Sequence, residues 1–431
     1  MDLHEASVPA AKDDPVARAR ALVPLLEAAA PRIEAACELP ADVLDAMHAA
    51  RMFHLLVPRS IGGVELLPSI YIQAVEQIAR GDASAAWCMN QQSGCAMSAA
   101  YLSEAAAREM FGGPRDTLAW GQSPGARALR TEGGWRLTCH GSFASGNRHC
   151  TWLGAHVPTF EADGTPLRAE DGKPAERTLL FPRARAKITD TWQVVGLRGT
   201  GSDDYEVTDL FVPDSHAIIR DHPASRREPG LTYRFSSLSI YASGFGAVAL
   251  GVGRTVLDEF IKLAGQKTQA LAQSPMRENA VIQSLIATAD VRLRSARSWL
   301  IQTLRDAEAG VCARGALASG TPAPNERTPS ERTTGERTPN ERTHGKLALD
   351  ELTLDERVAI RQAATFAIAQ ARDVVNEVYH EAGSSAIFNR FTIERRFRDI
   401  NTVSQQLQGR SAHFETVGQH LLGMKIFQRW L

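Results

Sequence analysis

Three short runs in the middle of the chain carry the side chains best suited to chemistry. They are Trp120-Gly121-Gln122-Ser123-Pro124, Phe143-Ala144-Ser145-Gly146-Asn147 and Gly196-Leu197-Arg198-Gly199-Thr200-Gly201-Ser202. Each sets hydroxyl or amide groups beside glycine, which supplies backbone freedom and close approach. The third feeds Asp203-Asp204-Tyr205-Glu206-Val207 and closes at Phe211-Val212-Pro213, a β-type run rich in Tyr, Val and Phe. Hydroxyls and amides hydrogen-bond without charge. They can hold a polar ring in place, whereas taking a proton from carbon requires an acceptor of suitable pKa. Read alone, the third run is equally an ordinary loop-to-strand junction.

Other candidates lie outside these runs. After Trp87, the uncharged Asn90, Gln91 and Gln92 sit among Cys88, Met89, Gly94, Cys95 and Ala96. Such a patch suits an aromatic or heteroaromatic ring with a polar substituent; a packed helix with polar ends reads equally well. His149 follows the second run and has two readings, as a group that orients a ligand or as a turn anchor. His413 reads as a bundle histidine satisfied by its neighbours. The six cysteines, at 37, 88, 95, 139, 150 and 312, form no C-x-x-C pair. Reduced thiols without a metal are therefore expected.

The elements that must position these groups fall into three blocks. At 431 residues the chain exceeds one comfortable core. Residues 15–110 are rich in Ala, Leu, Glu and Arg and read as helices, broken at Pro24, Pro31, Pro40, Pro58 and Gly62-Gly63. Residues 117–232 alternate short β-type runs with turns, as in a small β-barrel or sandwich. From Ser236 onward four long amphipathic segments, about 236–266, 278–312, 350–382 and 397–428, predict an antiparallel four-helix bundle. The fold class is α+β, with an N-terminal helical domain (1–116), a middle β domain (117–232) and a C-terminal bundle (233–431). A five-residue repeat runs from Asn325 to His344, each copy built on Glu-Arg-Thr. It has no apolar residue, so the insertion 313–347 is expected to be disordered, with a docking tail as the functional alternative.

A formal charge of −1 argues against a nucleic-acid partner. No apolar run approaches the roughly 18 residues of a membrane span, and Met1 to Ala11 do not read as a secretory signal. A cytoplasmic protein without a membrane partner is expected.

The order of the motifs resembles the acyl-CoA dehydrogenase fold, in the form used by two-component flavin-dependent monooxygenases such as the p-hydroxyphenylacetate and indole-3-acetate oxygenases. The resemblance rests on Pro58-Arg59-Ser60-Ile61-Gly62-Gly63, on Asp82-Ala83-Ser84-Ala85-Ala86-Trp87, on Gly141 to Gly146, on Gly196 to Ser202 and on Arg395-Arg396-Phe397-Arg398-Asp399. It implies a flavin between the β domain and the bundle, held near Ser123 and Ser145, with Ser145 at the Thr or Ser of a "W-I-T/S" motif. Trp120 then has two readings, a ring near the flavin or a core tryptophan. Lys267 and Arg277 are the candidates for the phosphate, which in such proteins a neighbouring subunit completes, so a homotetramer is implied. Thr200 and Ser202 join Asn90, Gln91 and Gln92 as implied substrate contacts. Ser145, His149 and Gln406 are the implied catalytic group, with Gln406 standing where a histidine occurs in related monooxygenases.

A dehydrogenase of this family needs a carboxylate base, often just beyond the Arg-Asp pair. From Ile400 to Phe414 this chain has no Asp or Glu. The implied activity is therefore hydroxylation of a small aromatic compound by reduced FMN or FAD and O2, through a flavin C4a-(hydro)peroxide. An acyl-CoA dehydrogenase or oxidase and a non-catalytic flavin-binding protein are the alternatives. No G-x-G-x-x-G stands between a strand and a helix, which implies a separate flavin reductase acting by diffusion. Loop length enters stability only logarithmically. Deleting Asn325–His344 and closing the gap with a short Gly/Ser loop should therefore change the melting temperature by less than about 5 °C; a larger drop in a thermal melt shows that the repeat packs.

Overall fold

The first helix already shows packing overriding local preference. In the computed structural model, which describes residues 14–169, 172–268, 274–319, 351–428 and 431, α1 runs unbroken over Pro15–Ala36. Breaks were expected at Pro24 and Pro31, yet both prolines lie on its exposed side. The carbonyls they leave without an intrahelical donor, those of Arg20 and Glu27, belong to exposed residues where water can serve them. The opposite face buries Leu26, Ala29, Ala30 and Ile33. Proline acts as expected at Pro40, which precedes α2 (Ala41–Ala49). Three further helices, α3 (Pro68–Gly81), α4 (Ala83–Ala96) and α5 (Glu104–Phe111), complete the first block.

Eight strands follow: β1 (Leu118–Trp120), β2 (Arg127–Thr131), β3 (Gly134–Gly141), β4 (Trp152–Phe160), β5 (Glu176–Pro182), β6 (Lys187–Thr189), β7 (Asp204–Pro213) and β8 (Ala217–Ile218). They form one mixed sheet in the order β6-β7-β3-β2-β4-β5-β8, with β1 added parallel to β4. The β2–β4 pair is parallel and the remaining pairs are antiparallel. Inward residues alternate along β7, where Tyr205, Val207, Leu210 and Val212 are buried, and they meet Trp135, Leu137 and Phe181 in a core of the sheet's own.

The last block is α6 (Ser237–Gln266), α7 (Ala280–Ser319), α8 (Leu354–Ala382), α9 (Thr392–Gln405) and α10 (Ala412–Leu421). The fourth expected segment, 397–428, thus begins earlier and is cut in two. Gln406 turns extended, and its Oε1 accepts from Gln408 N at 2.8 Å to start a short 3-10 turn over Leu407–Gly409. α7 carries helix through Ser319, into the first residues of the insertion expected to be disordered; the repeat itself lies outside the described residues. α6 corrects the expectation that no segment could span a membrane. It is long and apolar enough by composition, but 94% of its most apolar window is buried inside the protein. It is a core helix, packed against α3, α4, α8 and α9. The first and last blocks consequently share a single core, running from Leu26 and Val75 through Val248 to Ile368 and Ile400.

Arg396 of α9 joins these blocks at a polar point. Its guanidinium is fully buried and donates to the carbonyls of Ala79 (2.6 Å), Gly81 (2.8 Å) and Arg80. These are the last carbonyls of α3, which have no intrahelical donors and lie at the negative end of its dipole. Burial lowers the pKa of Arg396 to about 10, which still leaves it charged at neutral pH. Arg396→Leu fills similar space but leaves the Ala79 and Gly81 carbonyls without a donor, while the Arg80 carbonyl keeps the Thr255 hydroxyl at 3.2 Å. At roughly 1–3 kcal/mol per unsatisfied group, denaturant melts should show a loss of at least about 2 kcal/mol; an unchanged midpoint rules out the cap.

Candidate active site

The run Gly196–Ser202 lies where α1, α4 and α9 meet the sheet. A Cβ on Gly196 would fall 2.3 Å from the Arg398 carbonyl oxygen, and one on Gly199 would fall 2.1 Å from Cγ2 of Ile33. Only glycine permits this approach of the loop to α9 and α1. Between them Leu197 adopts a left-handed φ of 52°. Its N–H donates to Oδ1 of the buried Asp399 at 2.7 Å, and its carbonyl accepts from Nε1 of Trp192 at 3.1 Å. Burial, reinforced by nearby Asp82, raises the pKa of Asp399 to about 6. Asp82 itself caps α4, accepting from Ala85 N at 2.9 Å.

This anchored loop brings three of the sequence candidates into one line of hydroxyls. Trp87 Nε1 lies 3.0 Å from Ser145 Oγ, Ser145 Oγ lies 2.7 Å from Ser202 Oγ, and Ser202 Oγ lies 2.7 Å from Thr200 Oγ1. Thr200 Oγ1 then donates to the Leu197 carbonyl at 2.9 Å. All four side chains are buried. The turn that bears Ser145 is stitched to the same loop. Gly146 N donates to Thr200 O at 2.9 Å, and Asn147 Nδ2 donates to Gly201 O and Asp203 O. Asp203 is in turn held by Arg148 in a bidentate pair at 2.7 and 3.0 Å.

The remaining candidates are placed as follows. Asn90 is fully buried, accepting from Tyr71 OH at 2.9 Å and donating to Tyr241 O at 3.5 Å. Gln92 donates to Gly146 O at 3.2 Å and lies 3.2 Å from His149 Nε2. With the Gln92 amide nitrogen so occupied, its oxygen accepts, and His149 carries its proton on Nε2. Burial pushes the His149 pKa down to about 3, so the ring is neutral. Gln91 is half-buried and reaches the Trp120 carbonyl at 3.4 Å. Trp120 is packed edge-on to His156, with Arg220 over its ring. Ser123 Oγ lies 3.4 Å from the hydroxyl of Tyr205. Lys267 donates to Ala382 O at 2.8 Å, at the C-terminus of α8, while Arg277 is exposed in a short turn before α7. Among the described residues no hydrogen bond joins Gln406 to Ser145 or His149, and Gln406 Nε2 is buried without a partner.

Two features beside these residues carry no signal of their own in the sequence. Phe143 holds a left-handed φ of 62° while 61% exposed, beside Trp192. A bulky residue rarely adopts this conformation. Trp87, visible only as the end of an N-terminal motif, is the donor that heads the hydroxyl line.

Residues 19–111 match the acyl-CoA dehydrogenase N-terminal domain, and residues 243–333 and 336–408 match the acyl-CoA dehydrogenase C-terminal domain. The chain belongs to the acyl-CoA dehydrogenase family. Within it, the chain is similar to indole-3-acetate monooxygenase of Pseudomonas putida, 29% identical over 276 residues, which cover 63% of this chain and 67% of that protein. The enzyme of the same name from Acinetobacter baumannii is 30% identical over 61% of this chain and 65% of its own length. The oxygenase subunit HsaA of a Rhodococcus jostii flavin-dependent monooxygenase is 26% identical over 59% and 66%. The matches thus span about two thirds of these relatives. Among solved structures, the HsaA monooxygenase of M. tuberculosis superposes with a TM-score of 0.79 at 20% identity, over 97% of this chain and 100% of that one. XiaF from Streptomyces sp., solved with FADH2 and glycerol, gives 0.80 at 19% identity over 97% and 98%. These likenesses show the fold.

The raised pKa of Asp399 makes stability depend on pH. An unfolded aspartate has lost its proton by about pH 5, whereas Asp399 in the fold retains it until about pH 6. Raising the pH through this window deprotonates the unfolded state first and so lowers stability, and the loss is complete above the folded pKa. An asparagine in its place imitates the protonated carboxyl and still accepts from Leu197. The melting temperature of Asp399→Asn relative to wild type should therefore rise between pH 4.5 and 7.5; a difference that stays constant refutes the shift.

Proposed function

We propose that this chain is the oxygenase of a two-component flavin-dependent monooxygenase, taking reduced FMN or FAD from a separate reductase and hydroxylating a small aromatic compound. The observation that carries this reading is a buried, uncharged hydroxyl line ending at Ser145, in a site where every neighbouring buried carboxylate is committed to the protein. Asp399 holds the Leu197 amide, Asp82 caps α4, and Asp203 is paired with Arg148. No acidic residue occurs from Ile400 to Phe414. A site without a free carboxylate supports oxygen chemistry over α-proton abstraction from a thioester. The named relatives, an indole-3-acetate monooxygenase and an FADH2-dependent resorcinol hydroxylase among them, support the same choice.

The residues present fit a flavin. Ser145 Oγ has a lone pair without a protein partner among the described residues, the exposed Phe143 ring stands two residues before it, and Gln122 is bridged to Ser142 on the same segment. The protein holds these groups on turns that follow strands and are tied to helices, which suits precise placement of a ring. When bound, reduced flavin supplies the electrons that activate O2. Ser145 would hold the ring by a hydrogen bond through its remaining lone pair, and the buried side chains around it would exclude water. Gln91, beside Trp120, is the substrate contact we retain from the α4 patch. Asn90, Gln92 and the neutral His149 support the site from behind, and Gln406 offers a free amide N–H. A homotetramer completes the phosphate site, with Lys267 and Arg277 as the local cations, in a cytoplasmic protein.

The test is anaerobic titration with reduced FMN and FAD, followed by rapid mixing with oxygenated buffer. A transient absorbance lasting seconds is expected, and oxidation at the rate of free flavin overturns the reading. Ser145→Ala should speed loss of hydrogen peroxide about threefold to tenfold, the worth of one hydrogen bond of roughly 0.5–1.5 kcal/mol; unchanged decay removes Ser145 from the site.

A further inference from the structure

The hydroxyl line has donor-only and acceptor-only ends. An indole N–H can only donate, so Trp87 donates to Ser145. A carbonyl can only accept, so the Thr200 hydrogen points to Leu197. With that hydrogen in use, Ser202 must donate to Thr200, and Ser145 must donate to Ser202. One arrangement alone satisfies all four bonds: Trp87 to Ser145 to Ser202 to Thr200 to Leu197. A hydroxyl has one hydrogen and two lone pairs. In Ser145 the hydrogen and one lone pair are thereby occupied, and what remains is a single lone pair. The line is rigid as well as ordered, because Gly146 and Asn147 bind the backbone of residues 200–203 and Asp399 holds Leu197.

We infer that Thr200 and Ser202 are positioning residues that polarise Ser145 into an acceptor, so that the site selects reduced over oxidised flavin at N5. This rests on the reading that places a flavin ring against Ser145. Reduced flavin bears a hydrogen on N5 and can donate it to the Ser145 lone pair. Oxidised flavin presents a bare nitrogen lone pair there, and two lone pairs face each other. Selectivity for the reduced state is thus set two and three residues along the hydroxyl line from the ring, by side chains that do not touch it. Thr200 and Ser202 had been expected to contact substrate; the line assigns them instead to Ser145.

Two variants release the polarity while leaving Ser145 in place. In Ser202→Ala the Ser145 hydrogen loses its acceptor and can turn to bare N5. In Thr200→Val, a change of nearly equal volume, Ser202 loses its acceptor and can donate to Ser145, which again frees the Ser145 hydrogen. Wild type and both variants are titrated anaerobically with oxidised and with reduced FMN and FAD. The ratio of the oxidised to the reduced Kd is expected to fall about threefold to tenfold in each variant, the effect of one hydrogen bond. The two-electron midpoint potential of the bound flavin should fall with it by roughly 14–30 mV, at 29.6 mV per tenfold. Equal weakening of both redox forms, or an unchanged ratio, overturns the inference while leaving the flavin site intact. Failure of the wild type to bind either form overturns both.

Discussion

The contact between the Asp399 carboxylate and the Leu197 amide is where the site depends on the helices. It fixes a loop whose second residue, Leu197, holds a left-handed backbone and whose glycines Gly196 and Gly199 lie against two helices. Were that loop free, the Leu197 carbonyl would no longer mark the end of the hydroxyl line, and the direction of every hydrogen along it would be undetermined. A buried carboxylate near a second one is expensive to keep ionised. Its position at the meeting point of α9, α4 and the loop is consistent with a role in fixing geometry, for which the protein forgoes stability at neutral pH.

The same neighbourhood shows how this chain differs chemically from a fold that can host proton abstraction. Its acidic groups are present and buried, but each has a backbone amide or an arginine as partner. Its histidine is neutral and bonded to Gln92. What remains available is uncharged: hydroxyls, an amide and aromatic rings. Such a set stabilises a neutral or weakly polar arrangement and offers no strong acid or base that could discharge it prematurely.

Much of the fold was legible because its signals are local. Alternation along β7, Pro40 at the start of α2 and the glycines of 196–202 each report a constraint within a few residues. The Arg395–Asp399 run was legible as a pattern, but its physical work was not. Arg396 caps a helix more than three hundred residues earlier in the chain, and no local rule names such a partner. Asn90 and Gln92 read as ligand groups for a related reason. A buried amide must find partners, and sequence alone does not say whether those belong to a ligand or to Tyr71, Tyr241 and Gly146. Pro24 and Pro31 followed solvent exposure rather than propensity, which depends on which face the rest of the chain covers. The order of the hydroxyls required coordinates, since Trp87, Ser145 and Ser202 are far apart in sequence.

The single core shared by the first and last helical blocks also constrains how the chain is made. α3 ends at Gly81, but the arginine that closes it and much of α6 and α8 that cover it are synthesised later, out to residue 405. At about 5–20 residues per second, the ribosome takes roughly a quarter of a minute to a minute to cover that interval. Throughout it, the apolar faces of α1, α3 and α4 lack their final cover, while the sheet, with a core of its own, has everything it needs to form. The nascent chain therefore carries a finished middle between two unfinished ends, and chaperones have their longest opportunity at the N-terminal helices.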